Sequence, residues 1–167
     1  SFSIKQIPKI NDSFVSINEN KKILFNKREN SFLHNNVNTN SIENFYEIFK
    51  LDDTSIFLTN TINSLDEDQV YLSKKELYPY LDEESLTIVS RAFQIFDWIY
   101  NQNYCSRTGN KLTSVKEDLS KICESSSKDY FPKMSPCILV IVTYKNELLL
   151  VRHNNEIRTL YTAIAGF

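Results

Sequence analysis

The chain has 167 residues, 41% of them hydrophobic and including eleven Phe and nine Tyr, which is enough for one compact domain or two small ones and argues against global disorder. Nineteen Lys and Arg against 21 Asp and Glu leave a formal charge of −2, which gives no overall electrostatic footprint for nucleic acid or an anionic membrane. No run approaches the ~18 consecutive apolar residues of a membrane span. SFSIKQIPKI at the start lacks signal-peptide order, and Cys105, Cys123 and Cys137 lack a disulfide-framework spacing, so the expectation is a soluble, reduced, cytoplasmic protein.

In chain order, residues 13–25 predict a hairpin, SFVSI and KKILF around Asn18-Glu19-Asn20. Residues 30–44 are rich in Asn and predict an exposed loop, with His34 at the surface. TSIFLT at 54–59 and QVYL at 69–72 are short strand candidates, so the first 75 or so residues predict a small mixed sheet. Asp82-Glu83-Glu84-Ser85 is a helix start, a capping side chain followed by acids at the positive end of the dipole. Leu86, Val89, Phe93, Phe96 and Tyr100 then recur at spacings of three and four, widened by Ile88, Ala92, Ile95 and Ile99. This predicts a helix of about five turns with one broad buried face, Trp98 included as a core residue.

From Tyr104 to Asp129 the chain turns polar. Such a segment needs a metal, a disulfide or a neighbouring domain to order it. Pro136-Cys137 then opens the apolar run ILVIVTY, followed by Lys145-Asn146-Glu147 and LLLVRH. That pattern predicts a hairpin of strands buried on both faces, with Cys137 a core thiol and His153 at a strand end. Residues 159–164 predict a third strand, which leads into Ala165-Gly166-Phe167. The chain has only two glycines, Gly109 and Gly166, where average usage of ~7% would give many more.

The run YCSRTG…KIC…DYFPKMSPCILVIVTYKNELLLVRH…LYTAIAGF resembles the middle of the NADH pyrophosphatase branch of the Nudix hydrolases. The order there is a helix, a four-cysteine zinc ribbon, a Y-[YF]-P-x-x-x-P-C element, a strand pair and a strand ending in A-G-F. The motif match covers about residues 86–167, and both glycines fall on motif positions. Before residue 80 the likeness is architectural only.

The resemblance implies an α+β fold in three parts. Residues 1–100 form a small N-terminal mixed-sheet domain with its long helix, 101–132 a degenerate zinc-ribbon-like finger, and 133–167 the first strands of a Nudix α/β/α sandwich. It further implies Mg²⁺- or Mn²⁺-dependent cleavage of the pyrophosphate of NADH or NAD⁺ to nicotinamide mononucleotide and AMP, with NAD-capped RNA a related substrate, by a homodimer. Asp118 (Glu in the family pattern), Phe131 and Phe167 match substrate-binding positions, the two aromatics suiting a stacked nicotinamide. Ala165 matches a position whose backbone carbonyl binds the catalytic Mg²⁺ or Mn²⁺.

Two departures matter. The knuckles read Cys105-Ser-Arg-Thr108 and Cys123-Glu-Ser-Ser126, so a hydroxyl replaces the second cysteine in each and two good zinc ligands remain where a structural site uses four. Zinc is therefore expected to be lost. The glutamate-rich Nudix box that follows A-G-F in the family is also absent from these 167 residues, so the catalytic residues are expected in a longer parent chain and this chain is expected to be inactive. The rival reading is a truncated, non-catalytic paralogue serving as a dimerisation or nucleotide-binding module.

Overall fold

The computed structural model describes residues 8–9, 11–35, 37–42, 44–51, 53–60, 62, 66–152 and 160–166. His153 and Phe167, both singled out above, lie outside the described residues. The chain divides into two compact units, Ser1–Pro132 and Lys133–Phe167. Both helix and strand are present, so the fold is α+β.

In the first unit, β1 (Ser13–Ser16), β3 (His34–Asn35), β4 (Phe45–Leu51) and β5 (Thr54–Thr59) form one sheet in the order β3-β1-β5-β4. β1 and β5 are parallel, pairing Phe14 with Phe57 and Val15 with Leu58, and the other pairs are antiparallel. β2 (Ile23–Asn26) pairs instead with β6 (Gln69–Leu72), Ile23 opposite Leu72. The expected hairpin is thus half right. The chain does reverse at 18–22, where Lys21 N–H donates to Asn18 O (2.9 Å) and Ile17 bridges Ile23, but the two strands then enter different sheets. Both faces of the larger sheet are apolar, and successive side chains take opposite faces, so β1 sends Phe14 one way and Val15 the other.

The segment read as an exposed Asn-rich loop contributes β3 and a 3-10 turn at Thr39–Ser41. Phe32, His34 and Ile42 within it are buried. Ile42 joins Phe14, Phe57 and Phe45 in a small cluster, with Phe14 stacked on Phe57 at 5.6 Å and Phe45 edge-on to Phe57 at 5.6 Å. His34 is no surface residue: its Nε2 lies 3.2 Å from Leu24 O, and burial pushes its pKa down.

The long helix forms as its period predicts. A short α1 (Lys74–Leu77) begins with a capping box in which Ser73 and Glu76 satisfy each other's backbone N–H. α2 (Glu83–Asn101) follows, with Asp82 accepting from Ser85 N–H at 2.8 Å. Val89, Ala92, Phe93, Ile95, Phe96 and Trp98 are buried against Val15, Ile17, Ile56 and Leu58 of the sheet.

The polar segment after α2 packs on the same core through Cys105, Leu112, Leu119 and Cys123. It is a bridge between Tyr104 and Lys111, then a hairpin of β7 (Lys121–Cys123) and β8 (Lys128–Tyr130). Two contacts fasten it to the helix end. Trp98 Nε1–H donates to Leu119 O at 2.7 Å. Lys121, only 2% exposed, donates through Nζ to Trp98 O (2.8 Å), Ile99 O (3.0 Å), Gln102 O (2.9 Å) and Asn103 Oδ1 (3.1 Å). These carbonyls are among those a helix C-terminus leaves without intrahelical partners.

The second unit contains β9 (Ile138–Val140), β10 (Val142–Tyr144), β11 (Glu147–Leu149), β12 (Val151–Arg152), β13 (Tyr161–Thr162) and β14 (Ile164–Gly166). They pair antiparallel as β9–β14, β10–β11 and β12–β13. The hairpin lies where the sequence places it, turning at Lys145-Asn146 with Lys145 at φ 51°. The burial expectation fails: Leu139, Ile141, Leu148 and Cys137 are exposed. Among its described residues this unit has strands but no helix to lay over them.

The Lys121 ammonium gives a test of what orders the polar segment. Lys121→Met keeps the aliphatic stem and strands three carbonyls, which costs about 2–3 kcal/mol when unpaired groups stay buried. Urea unfolding should show that loss, whereas the exposed Lys111→Met should stay within about 0.5 kcal/mol of the parent.

Candidate functional site

Two tight knuckles face each other at the end of the first unit. In the first, Cys105 O accepts from Gly109 N–H (2.9 Å) and Cys105 N–H donates to Asn110 O (2.7 Å). That closure needs a left-handed residue, and Gly109 provides it at φ 73°. In the second, Ser126 N–H donates to Cys123 O (3.2 Å), and Ser127 takes the left-handed position at φ 48°. Asn110 Nδ2 donates to Ser125 Oγ (2.8 Å) and ties one knuckle to the other.

The positions expected as vestigial zinc ligands come together in part. Cys105 Sγ is 3.1 Å from Tyr130 Oη, and Cys123 Sγ is 3.3 Å from Thr108 Oγ1 and 3.2 Å from Ser125 Oγ. Ser126 contributes its amide, while its hydroxyl is buried without a full hydrogen bond among the described residues. Ser125 and Tyr130 are members that sequence reasoning does not supply. The one signal for them is the run Ser125-Ser126-Ser127, since thiols that lack partner thiols need other polar neighbours.

Hydroxyl contact lowers both thiols. Cys105 falls to about 6, chiefly through Thr108 and then Tyr130, and Cys123 is lowered first by Ser125. Tyr130 is raised in turn by its bond to Cys105. Two thiols and two neutral hydroxyls do not fit Zn²⁺, which takes four strong donors. Among the described residues no three His, Cys, Asp or Glu side chains gather as a metal-holding group, so nothing described fits Mg²⁺ or Mn²⁺ either.

The expected substrate-binding residues are distributed over both units. Asp118 is exposed and turned back on its own loop, its Oδ1 accepting from Ser120 N–H (3.0 Å) and Ser120 Oγ–H (2.6 Å). Those bonds hold its pKa below the usual carboxylate range. Phe131, 53% exposed, follows β8 and offers an open ring. Ala165 belongs to the second unit, in β14 opposite Leu139. A cavity of about 150 Å³ elsewhere in the first unit is lined by Glu19, Asn60, Phe96, Tyr100 and Asn101. There Tyr100 Oη is buried without a hydrogen bond among the described residues, and burial pushes its pKa to about 12.

The lowered thiols fix a pH dependence. An ordinary thiol titrates near ~8.5, so between about 6 and that value the unfolded chain holds a proton that folded Cys105 has released. Stability therefore rises with pH across this window and is lost as pH falls through about 6. The thermal midpoint should climb from pH 6 to 8.5, and Cys105→Ser should flatten that climb.

No family model matches the chain. It is 27% identical over 158 residues to the NAD-capped RNA hydrolase NudC of Photobacterium profundum, covering 95% of this chain and 56% of that protein. The protein of the same name from Pseudomonas fluorescens is 27% identical over 136 residues, 72% of this chain and 49% of that protein. That of Pectobacterium carotovorum subsp. carotovorum is 29% identical over 80 residues, 48% of this chain and 31% of that protein. The chain thus spans about a third to just over half the length of these relatives. The likeness to the Photobacterium profundum protein covers 95% of this chain, so it reaches well before residue 80 and beyond the motif run.

Proposed function

We propose that this chain carries the N-terminal sheet domain, the ribbon-like finger and the first strands of the Nudix sandwich of a pyrophosphatase acting on NADH, NAD⁺ or NAD-capped RNA. The likeness to NudC-type hydrolases over 158 residues carries this reading. In it the ribbon closes without zinc, Asp118 and Phe131 sit on the substrate side, and Phe167 stacks on the nicotinamide.

Hydrolysis itself is assigned to residues beyond these 167. Aligning phosphates and activating a water on Mg²⁺ or Mn²⁺ takes several carboxylates on one cation, and Ala165 supplies a single backbone carbonyl. No step can be derived through the metal from the residues present. When bound in a longer parent chain, the metal would supply charge neutralisation at the pyrophosphate. The part of this chain would be to bind and orient the nicotinamide end. The second reading, a non-catalytic binding or dimerisation module in the cytoplasm, is favoured by the two replaced cysteines.

Activity separates the two. The 167-residue chain should not release AMP from NADH with either cation in excess. A parent chain that continues through a Nudix box should do so in a metal-dependent reaction. There Phe167→Ala should weaken nicotinamide substrates by up to about tenfold relative to ADP-ribose, the scale of one lost ring contact. Turnover by the 167-residue chain alone would overturn the assignment of the chemistry, and an inactive parent with an intact box would favour the module.

Assembly is a separate expectation. A homodimer built around the finger and the exposed Phe131 ring should scatter light with twice the chain mass at micromolar concentration.

A further inference from the structure

The knuckle cluster has a property that the proposed function does not use. Cys105 and Cys123 come from turns eighteen positions apart in sequence, yet Thr108 of the first knuckle reaches across to Cys123 of the second, and each sulfur sits against a hydroxyl. The facing turns are already tied by the Asn110–Ser125 bond and by Thr113 N–H donating to Ile122 O at 2.9 Å. Neither sulfur has a metal-ligand set around it among the described residues. Both side chains are buried, while their sequence neighbours Ser106, Arg107, Thr108, Glu124 and Ser125 are exposed. The third thiol, Cys137, belongs to the other unit.

We propose that Cys105 and Cys123 are a reversible redox pair that closes to a disulfide across the two knuckles when a hydroperoxide reaches them. The geometry favours an intramolecular product, because the two knuckles that carry the sulfurs already face each other through the Thr108–Cys123 and Asn110–Ser125 bonds, whereas a third thiol must be brought from elsewhere. In the first step a cysteine thiolate attacks the peroxide. A sulfur–oxygen bond forms, the peroxide O–O bond breaks, and hydroxide leaves. In the second step the partner thiol, giving up its proton, attacks the sulfenic sulfur. The S–S bond forms, the S–O bond breaks, and the oxygen leaves as water. Across both steps two thiols lose two electrons to the peroxide, and an external dithiol reverses the change by exchange. Thr108, Ser125 and Tyr130 can donate to the thiolate before attack and to the oxygen that leaves. The bond would fix the finger where four metal–thiolate bonds would otherwise do so, with a covalent link in place of coordination.

Hydrogen peroxide added to the full chain at neutral pH tests this. The expected result is a fall from three free thiols to one, with Cys105 and Cys123 recovered as a single linked peptide pair lacking two hydrogens. The chain should stay a single species on non-reducing gels, and dithiothreitol should restore all three thiols. Its thermal midpoint should rise on oxidation and fall back on reduction. The same count in a Cys137→Ser chain should fall from two to none, which keeps the test decisive if Cys105→Ser or Cys123→Ser fails to fold. Separate sulfinic acids on the two cysteines, a link formed only through Cys137, or unchanged thiols in the folded chain would each overturn the pairing. So would stoichiometric zinc held by Cys105 and Cys123 in the purified protein, found by elemental analysis. None of these readouts depends on hydrolysis, so the pairing can fail while the proposed function stands.

Discussion

The ammonium of Lys121 holds the end of the long helix and the start of the finger's hairpin in one place. Burying a lysine costs several kcal/mol unless its charge and its three protons are satisfied. Here Trp98, Ile99 and Gln102 offer carbonyls, Asn103 its side-chain oxygen, and the face of Trp98 lies 4.9 Å below Nζ. These carbonyls would otherwise be orphans at the negative end of the helix dipole, so one cation meets two needs together. Desolvation still lowers the pKa of Lys121, a sign that burial opposes the charge even in this setting. Cys123 lies two residues further along β7, so the same anchor sets the height of the second knuckle above the core.

That anchor helps to order the polar segment between Tyr104 and Tyr130, where the hydroxyl contacts of the two sulfurs are weak. Metal binding supplies roughly 10–16 kcal/mol in zinc-finger peptides, whereas neutral hydrogen bonds contribute about 1 kcal/mol each. The contacts of Thr108, Ser125 and Tyr130 to the two sulfurs therefore cannot replace four coordinate bonds. The difference is made up by burial: Leu112, Leu119 and both cysteines share one core with the helix and the sheet. Trp98 contributes twice, through its apolar area and through its indole N–H on Leu119 O. A polar segment fused to a helix in this way draws its order from the shared core.

How much of this the amino-acid sequence discloses depends on whether the interactions are local. The helix is legible because a period of three and four over nineteen residues has one physical meaning, and Asp82 marks its start. β5 and β6 are legible as short β-branched and aromatic runs between turns. β4 escapes such reading because a register shift between Glu47 and Phe49 breaks its alternation. Residues 30–44 mislead because Asn outnumbers the few apolar residues there, and nothing local reveals that Ile42 packs on Phe14 and Phe57. Lys121 is invisible for the same reason, since a lysine in a polar stretch reads as solvated. At the candidate site the positions of Cys105, Thr108, Cys123 and Ser126 are what the resemblance to a Cys-x-x-Cys ribbon implies. The participation of Tyr130 requires the β7–β8 hairpin to fold back.

The two glycines separate conformational need from another kind of need. Gly109 sits at φ 73°, where a side chain would strain the first knuckle although open space surrounds it. Its retention is explained by the backbone alone. Gly166 has neither a positive φ nor any atom within 4 Å of where a Cβ would stand, and it pairs as an ordinary strand residue with Ile138. Within the second unit alanine would fit there without strain, so the fold of these strands does not require glycine. In a chain this sparing of glycine, a position that the backbone does not demand calls for a reason outside it.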